Sequence, residues 1–290
     1  MISQGDCRLG LQLIEQGSIE LVLTDPPYGL DGMGAQWNLD AMRRKMRSGV
    51  VGGLPAGMRF HKDQGRQLRR WLTPIAREWH RVLKPGGFVL CFAQPRLSHS
   101  VATSLEDVGF EIRDMLAWYH GGGQPKAFSQ DHFVRKMQLP AQQQREIILD
   151  LQGRKTPQLK PEIELIVLAQ RPRQGTFVQN WITHRTGLID VKSPFIEPDT
   201  FPGQLIEHPK AQRVFDHVTV KPVGVLRHLI RIFSARGDLV LDPFAGTGST
   251  GVACALEGRE FIGFELDATI ARAAQDRVAQ AYRKTSQKLC

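Results

Sequence analysis

The chain has 290 residues of ordinary globular composition, and 38 Lys plus Arg against 29 Asp plus Glu give it a formal net charge of +9. That length affords one large domain or two modest ones, and the basic balance favours polyanionic partners, nucleic acid first. No apolar run approaches the roughly 20 residues a membrane span needs. Cys7, Cys91, Cys254 and Cys290 have neither C-x-x-C nor zinc-finger spacing, and no secretory signal is read at the N-terminus, so free thiols in a reducing cytoplasm are expected.

In chain order, Leu9, Leu11, Leu13 and Ile14 predict a short amphipathic helix before Gly17, and Ile19 to Thr24 a buried strand. That strand stops on D-P-P-Y at 25–28. Each proline removes a backbone donor and fixes φ, so the pair reads as punctuation. It also leaves Asp25 and Tyr28 together at the carboxyl end of a strand, where open α/β sheets bind ligands. Residues 29–65 hold many glycines, few large apolar side chains and the basic cluster R-R-K-M-R at 43–47. They read as a mobile loop or lid, or as a plain solvated excursion.

Leu68, Trp71, Leu72, Ile75, Trp79, Val82 and Leu83 recur at helical spacing, with Pro74 kinking or starting a helix. K-P-G-G at 84–87 reads as a turn, F-V-L-C-F-A at 88–93 as a strand, 96–107 as a helix, and Phe110 to Trp118 as a strand. Helices alternating with short buried strands predict an α/β fold with a doubly wound, mainly parallel sheet. The rhythm breaks at G-G-G, 121–123. From there to about 215 the chain is rich in Gln, Pro, Lys and Arg, with E-L-I-V-L-A at 164–169 its one obvious strand, and reads as an insertion or sub-domain. It resumes with helix 222–235, strand 239–242, helix 249–257, strand 261–265 and helix 267–283.

D-P-F-A-G-T-G-S-T at 242–250 follows a strand and opens a helix. Glycines let backbone approach a ligand closely, and a helix N-terminus offers free N–H groups. A P-loop needs Lys after its last glycine, whereas Val252 follows Gly251; Gly246, Gly248 and Gly251 do have the G-x-G-x-x-G spacing of a nucleotide-binding loop, a weak signal when it stands alone. The loop is tight, Gly246-x-Gly248, with Asp242 on its leading edge. Glu265 ends the next strand, where a carboxylate accepts both hydroxyls of a ribose. The implied ligand is a nucleoside cofactor, a description that S-adenosyl-L-methionine fits.

Taken together, D-P-P-Y at 25–28 and D-P-F-A-G-T-G-S-T at 242–250 resemble the amino-methylating DNA methyltransferases. H-V-T-V-K-P at 217–222 is similar to that family's H-P-T-x-K-P, with Val218 where Pro is usual, and Q-G-D-C at 4–7 resembles its opening segment. L-K-P-E-I-E-L-I-V-L-A-Q-R-P at 159–172 looks like prophage members. Catalytic motif, recognition region, then cofactor motif is the circularly permuted order of the family's β group. The resemblance implies the S-adenosylmethionine-dependent methyltransferase fold: 1–120 as the catalytic half, 121–215 as an inserted target-recognition region, and 216–290 as the cofactor-binding half. It implies a cofactor set of Asp6, Asp25, Thr219, Lys221, Asp242, Phe244, Gly246, Gly248, Ser249, Thr250 and Glu265, with Asp6 at the cofactor adenine, and no metal. Lys126, Arg135, Lys136, Arg154, Lys155, Lys160, Arg171 and Arg173 are candidate phosphate contacts on double-stranded DNA.

The catalytic role the resemblance gives to Asp25, Pro26, Pro27 and Tyr28 has a physical basis. The exocyclic amine of adenine or cytosine has its lone pair drawn into the ring. An ionised Asp25 accepting a hydrogen bond pulls that nitrogen towards tetrahedral geometry and frees the pair. The Pro26 carbonyl takes the second amino hydrogen, neither proline offers an N–H of its own, and Tyr28 gives a flat face for stacking. A base inside a duplex must flip out to reach them. Cytosine C5 chemistry is excluded, because its thiolate comes from a Pro-Cys pair and the chain has none. His217 could touch cofactor or DNA, or cap a turn. D-P-P-Y leans to adenine N6 in this family; cytosine N4, protein glutamine amides and a non-catalytic DNA-binding protein of the same fold are the rival readings. The expected setting is a bacterial or phage-infected cytoplasm, at the nucleoid, with a homodimer and a cognate restriction endonuclease as partners the resemblance allows.

Overall fold

The computed structural model describes residues 1–27, 62–123, 127–192, 201–210 and 220–287. Its strands are β1 (Ile2–Gln4), β2 (Ile19–Thr24), β3 (Leu83–Ala93), β4 (Glu111–Tyr119), β5 (Ile163–Gln170), β6 (Leu205–Glu207), β7 (Leu239–Asp242) and β8 (Glu260–Glu265). They make one sheet in the order β1-β8-β7-β2-β3-β5-β4-β6. Every neighbouring pair is parallel except the two that β5 makes, with β3 and with β4.

All residues of β2 are buried. Leu21 and Leu23 face the layer that holds helices Val223–Phe233 and Ser249–Glu257, while Val22 faces the layer of helix Gln64–Val82. Alternate side chains of a strand point to opposite faces, so a strand covered on both reads as a continuous apolar run. Helix Gln64–Val82 buries Leu68, Leu72, Ile75, Ala76, Trp79 and Val82, one stripe at helical period.

The two halves of the chain meet at β2 and β7, paired through Leu21↔Val240 and Val22↔Leu241. From β2 the chain crosses to β3 over one face of the sheet; from β7 it crosses to β8 over the other. Connections that diverge in this way leave a crevice at the carboxyl ends of the two strands.

Several expectations need correction. Pro74 lies inside helix Gln64–Val82 and does not start it; the buried stripe outweighs the one backbone donor that proline lacks. The loop expected over 29–65 gives way to helix by Gln64, and residues 28–61 lie outside the described part. K-P-G-G at 84–87 is not a free turn but the first part of β3. The Gly86 N–H donates to the Arg171 carbonyl and the Arg171 N–H to the Gly87 carbonyl, which continues the β3–β5 ladder. The Asn180 amide donates to the Pro85 carbonyl and holds the segment from the other side. β5 is no part of a separate insertion, since it pairs along its length with both β3 and β4. Helices Asp131–Arg135, Ala141–Asp150 and Phe177–His184 also fall in the stretch expected to carry one strand.

Gly251 has a packing reason to be glycine. An added Cβ would meet the Phe261 ring and Val278 at 2.7 Å, and both are core residues. Gly251→Ala is expected to lower the unfolding free energy by about 1–3 kcal/mol, seen as a lower urea midpoint at unchanged slope.

Candidate active site

The crevice is organised by a buried carboxylate. Asp242, at the end of β7, is 3% exposed. Its Oδ1 accepts from the Thr24 hydroxyl at 2.6 Å and the Phe244 N–H at 3.1 Å, and its Oδ2 from the Thr250 hydroxyl at 2.7 Å. It therefore ties the end of β2, the glycine loop and the start of helix Ser249–Glu257 to one point. Both oxygens are engaged within the fold, so Asp242 shapes the loop.

Gly246 and Gly248 both have positive φ, +50° and +77°, which glycine adopts at little cost. The Gly246 N–H donates to Glu265 Oε2 at 3.0 Å, and Oε1 of the same carboxylate accepts from the Asp267 N–H at 2.9 Å. Burial raises the Glu265 carboxyl above its ordinary range, and these backbone donors work against that rise. Ser249 and Thr250 are buried, and Ser249 and Thr247 receive the Arg277 guanidinium from helix Ala268–Gln287. The Phe244 ring packs against Trp71 and Trp79, with centroids 5.5 and 6.4 Å apart.

β1 pairs with β8 in the register Gln4↔Glu265, and the Gly5 N–H donates to the Glu265 carbonyl. The adjacent Asp6 is thus brought to the same edge as Glu265. Asp6 caps helix Cys7–Gln12 through the Arg8 N–H and pairs with the Arg8 guanidinium. Hydrogen bonding from Arg8 holds its carboxyl below the usual range, against the opposing effect of burial.

Asp25 follows Thr24 at the mouth of the crevice, with Pro26 buried behind it. Its Oδ2 is paired with the Lys221 ammonium, which also lies 3.2 Å from Glu164 Oε2 and 5.0 Å from the Phe92 ring centroid. Tyr28, His217 and Thr219 lie outside the described residues. No motif marks Glu164 as a site residue; its only signal in the sequence is an acid opening an otherwise apolar strand. Phe92 and Trp71 likewise read from the sequence as core alone. A separate cavity of about 380 Å³, lined by Phe88, Asp114, Gln170 and Gln204 among others, lies at the opposite ends of the parallel strands and includes none of these residues.

A family model for N6/N4 DNA methylases matches residues 19–276. The chain belongs to that family. This methylase is 26% identical to the type II methyltransferase M.HindIII of Haemophilus influenzae, over 96% of this chain and 94% of the relative. It is 23% identical to the DNA adenine methyltransferase YhdJ of Escherichia coli K12, over 99% of this chain and 85% of the relative. Among solved structures it resembles the cytosine-N4-specific PvuII DNA methyltransferase, with TM-score 0.62, 15% identity and coverage of 98% of this chain and 91% of the other. It also resembles a DNA modification methylase of Thermus thermophilus complexed with S-adenosyl-L-methionine, with TM-score 0.57, 23% identity and coverage of 97% and 95%. The methylase is S-adenosyl-L-methionine-dependent. The described residues fit that cofactor: a Cβ at Gly246 would have no neighbour nearer than 3.9 Å, so the loop backbone is open there, and the Glu265 carboxylate lies against it through the Gly246 N–H.

The basic residues of 121–215 divide on inspection. The Arg171 guanidinium holds the Leu83 carbonyl, the Arg173 guanidinium lies 4.3 Å over the Phe177 ring, and Lys160 pairs with Glu162 at 2.6 Å. Arg135, Lys136, Arg154 and Lys155 are exposed. Lys126 lies outside the described residues.

Burial pushes the Asp242 carboxyl up to about 6 from 3.8, despite its three donors. The folded state therefore keeps this proton over a window in which the unfolded chain has lost it. The group's contribution to stability is full below the unfolded value and falls as pH rises through about 6. Urea unfolding of wild type and Asp242→Asn from pH 4 to pH 7.5 is expected to show a stability difference that moves by roughly 2 kcal/mol in favour of the variant as pH rises. A difference flat across that range would refute the buried titration.

Proposed function

We propose that this methylase transfers a methyl group to the exocyclic N6 of an adenine flipped out of double-stranded DNA. The observation that carries the reading is the juxtaposition at β2 and β7. Asp25 stands at the end of the strand that Asp242 ties, through Thr24, to the glycine loop. A methyl-donor loop and an amine acceptor thus share one crevice.

The residues act as follows. Bound S-adenosyl-L-methionine supplies the electrophilic methyl group. Asp25 accepts a hydrogen bond from the amino group and makes its lone pair available, and the Pro26 carbonyl takes the second amino hydrogen. Pro27 keeps the turn without an N–H donor, and Tyr28 stacks on the base. Glu265 receives the ribose hydroxyls and Asp6 faces the adenine of the cofactor. Catalysis here is alignment of groups already carrying the needed charge. Adenine is favoured over cytosine by D-P-P-Y and by sequence likeness to a relative named as an adenine methyltransferase. The likeness to the cytosine-N4 enzyme is one of fold at 15% identity.

Within the chain, 121–162 and 171–215 are the segments assigned to target recognition, with β5 left to the sheet. Arg135, Lys136, Arg154 and Lys155 are their phosphate contacts. A cognate restriction endonuclease is the partner suggested by the type II relative.

Purified protein is to be incubated with unmethylated duplex DNA and methyl-labelled S-adenosyl-L-methionine, and the DNA digested to nucleosides. Label in N6-methyldeoxyadenosine is expected; label in N4-methyldeoxycytidine would overturn the base, and no label on any DNA would overturn the reaction. Asp25→Ala should lower turnover by at least about 100-fold while cofactor affinity by calorimetry stays within a few-fold. A variant keeping more than about a tenth of wild-type turnover would remove Asp25 from the chemistry.

A further inference from the structure

We propose that Lys221 and Glu164 form a positioning pair that fixes the plane of the Asp25 carboxylate against the substrate amine. The inference rests on the reading of Asp25 as that amine's acceptor. It moves Lys221 from the cofactor side, where the motif resemblance put it, to the catalytic carboxylate, and it brings into the site a residue of β5 to which the resemblance gives no site role.

The three side chains come from distant parts of the chain. Asp25 ends β2, Lys221 precedes helix Val223–Phe233, and Glu164 is the second residue of β5. Each is held by a rigid neighbour. Pro26 follows Asp25, Pro222 caps the helix after Lys221 with φ −63°, and Glu164 is the register partner of Trp118, a core residue of β4. The Lys221 side chain is only 12% exposed. Its ammonium pairs with Asp25 Oδ2 and Glu164 Oε2, and the Phe92 ring lies beneath it. Burial works against its charge, but Asp25 and Glu164 outweigh burial and hold the lysine above its usual range.

The geometry has a mechanical consequence. The backbone at Asp25 is set by β2 and by the two prolines, but an aspartate can still turn about its Cβ–Cγ bond. An ammonium fixed on one oxygen stops that turn and sets the direction from which a hydrogen bond is accepted. Glu164 prevents the lysine from following the aspartate. The trio carries net charge −1, so the acceptor keeps its anionic character while half of the local charge is balanced. A misplacement of about 1 Å at a reacting group can cost about 100-fold in rate, which sets the size of effect to look for. Because Glu164 lies on β5, whose flanking segments are the ones assigned to target recognition, the same pair provides a solid connection between those segments and the catalytic carboxylate.

The test uses the full-length chain, duplex DNA carrying its target site, and the variants Lys221→Met, Lys221→Arg, Glu164→Gln and the Met/Gln double. Single-turnover rates, KM for DNA, and S-adenosyl-L-methionine affinity by calorimetry are measured on each. Expected are rate losses of about 100-fold for Lys221→Met and about 10-fold for Glu164→Gln, with KM and cofactor affinity within about threefold. Lys221→Arg should recover at least about tenfold over Lys221→Met, and the double variant should be no slower than Lys221→Met alone, since coupled residues are not additive. Rates within about twofold of wild type, or losses that multiply in the double variant, would overturn the pair. So would a tenfold or greater loss of cofactor affinity in Lys221→Met, which would make the lysine a cofactor ligand. Should Lys221→Met fail to fold, Glu164→Gln carries the decision, because it leaves the lysine on Asp25. A wild-type chain that transfers no label refutes the functional reading itself; an active wild type with unaffected variants refutes only the positioning role.

Discussion

The carboxylate of Asp242 holds the two halves of this methylase in register. Thr24 and Asp242 are 218 positions apart in sequence, yet their side chains share a 2.6 Å hydrogen bond at adjacent strand ends. Burying a carboxylate is costly unless every lone pair finds a donor. Here the donors come from β2, from the loop and from the first turn of the following helix, so they can all be present only when the permuted halves have docked. The same bonds set the entrance to the glycine loop. Folding and site formation are therefore one event at this point.

Around that centre the charge distribution is the reverse of the chain's total. The protein carries a net charge of +9, but the crevice edge holds Asp6 and Glu265 at β1 and β8, and sets Asp25 and Glu164 on the ammonium of Lys221. A cationic cofactor and a polyanionic substrate make opposite demands, and the chain keeps charges of the two signs on different surfaces. Carboxylates collect at the carboxyl ends of β1, β2 and β8. Arg135, Lys136, Arg154 and Lys155 stand exposed on the segment between β4 and β5.

The antiparallel β5 is the feature that makes the architecture more than two joined halves. Wedged between β3 and β4, it is buried along most of its length. It delivers its first residues, rather than its last, to the crevice end of the sheet. An acid at the start of a reversed strand thereby reaches the same place as acids at the ends of parallel ones. Its two ladders tie β5 to the core on both sides.

Much of this was legible in the residues. The alternation of apolar strands and helices pointed to the α/β class, the D-P-P-Y and G-x-G loops lay at strand ends, and Glu265 fell at the end of the next strand because its position follows from strand and helix lengths alone. These are local signals, set by periodicity, by proline and glycine backbone limits and by the short range of each motif. The partners of β5, the strand character of 84–87 and the roles of Glu164 and Lys221 were not legible. An apolar run states that a strand is buried but not between which neighbours or in which direction. An acid or a lysine in sequence states a charge but not its counter-ion. Sequence by itself determined the family's two motifs and the fold class, because each rests on contiguous residues. Only the tertiary structure decided that Asp242 is a bracket, that β5 belongs to the sheet, and that Lys221 stands on Asp25, because each depends on groups that meet only when distant strands pair.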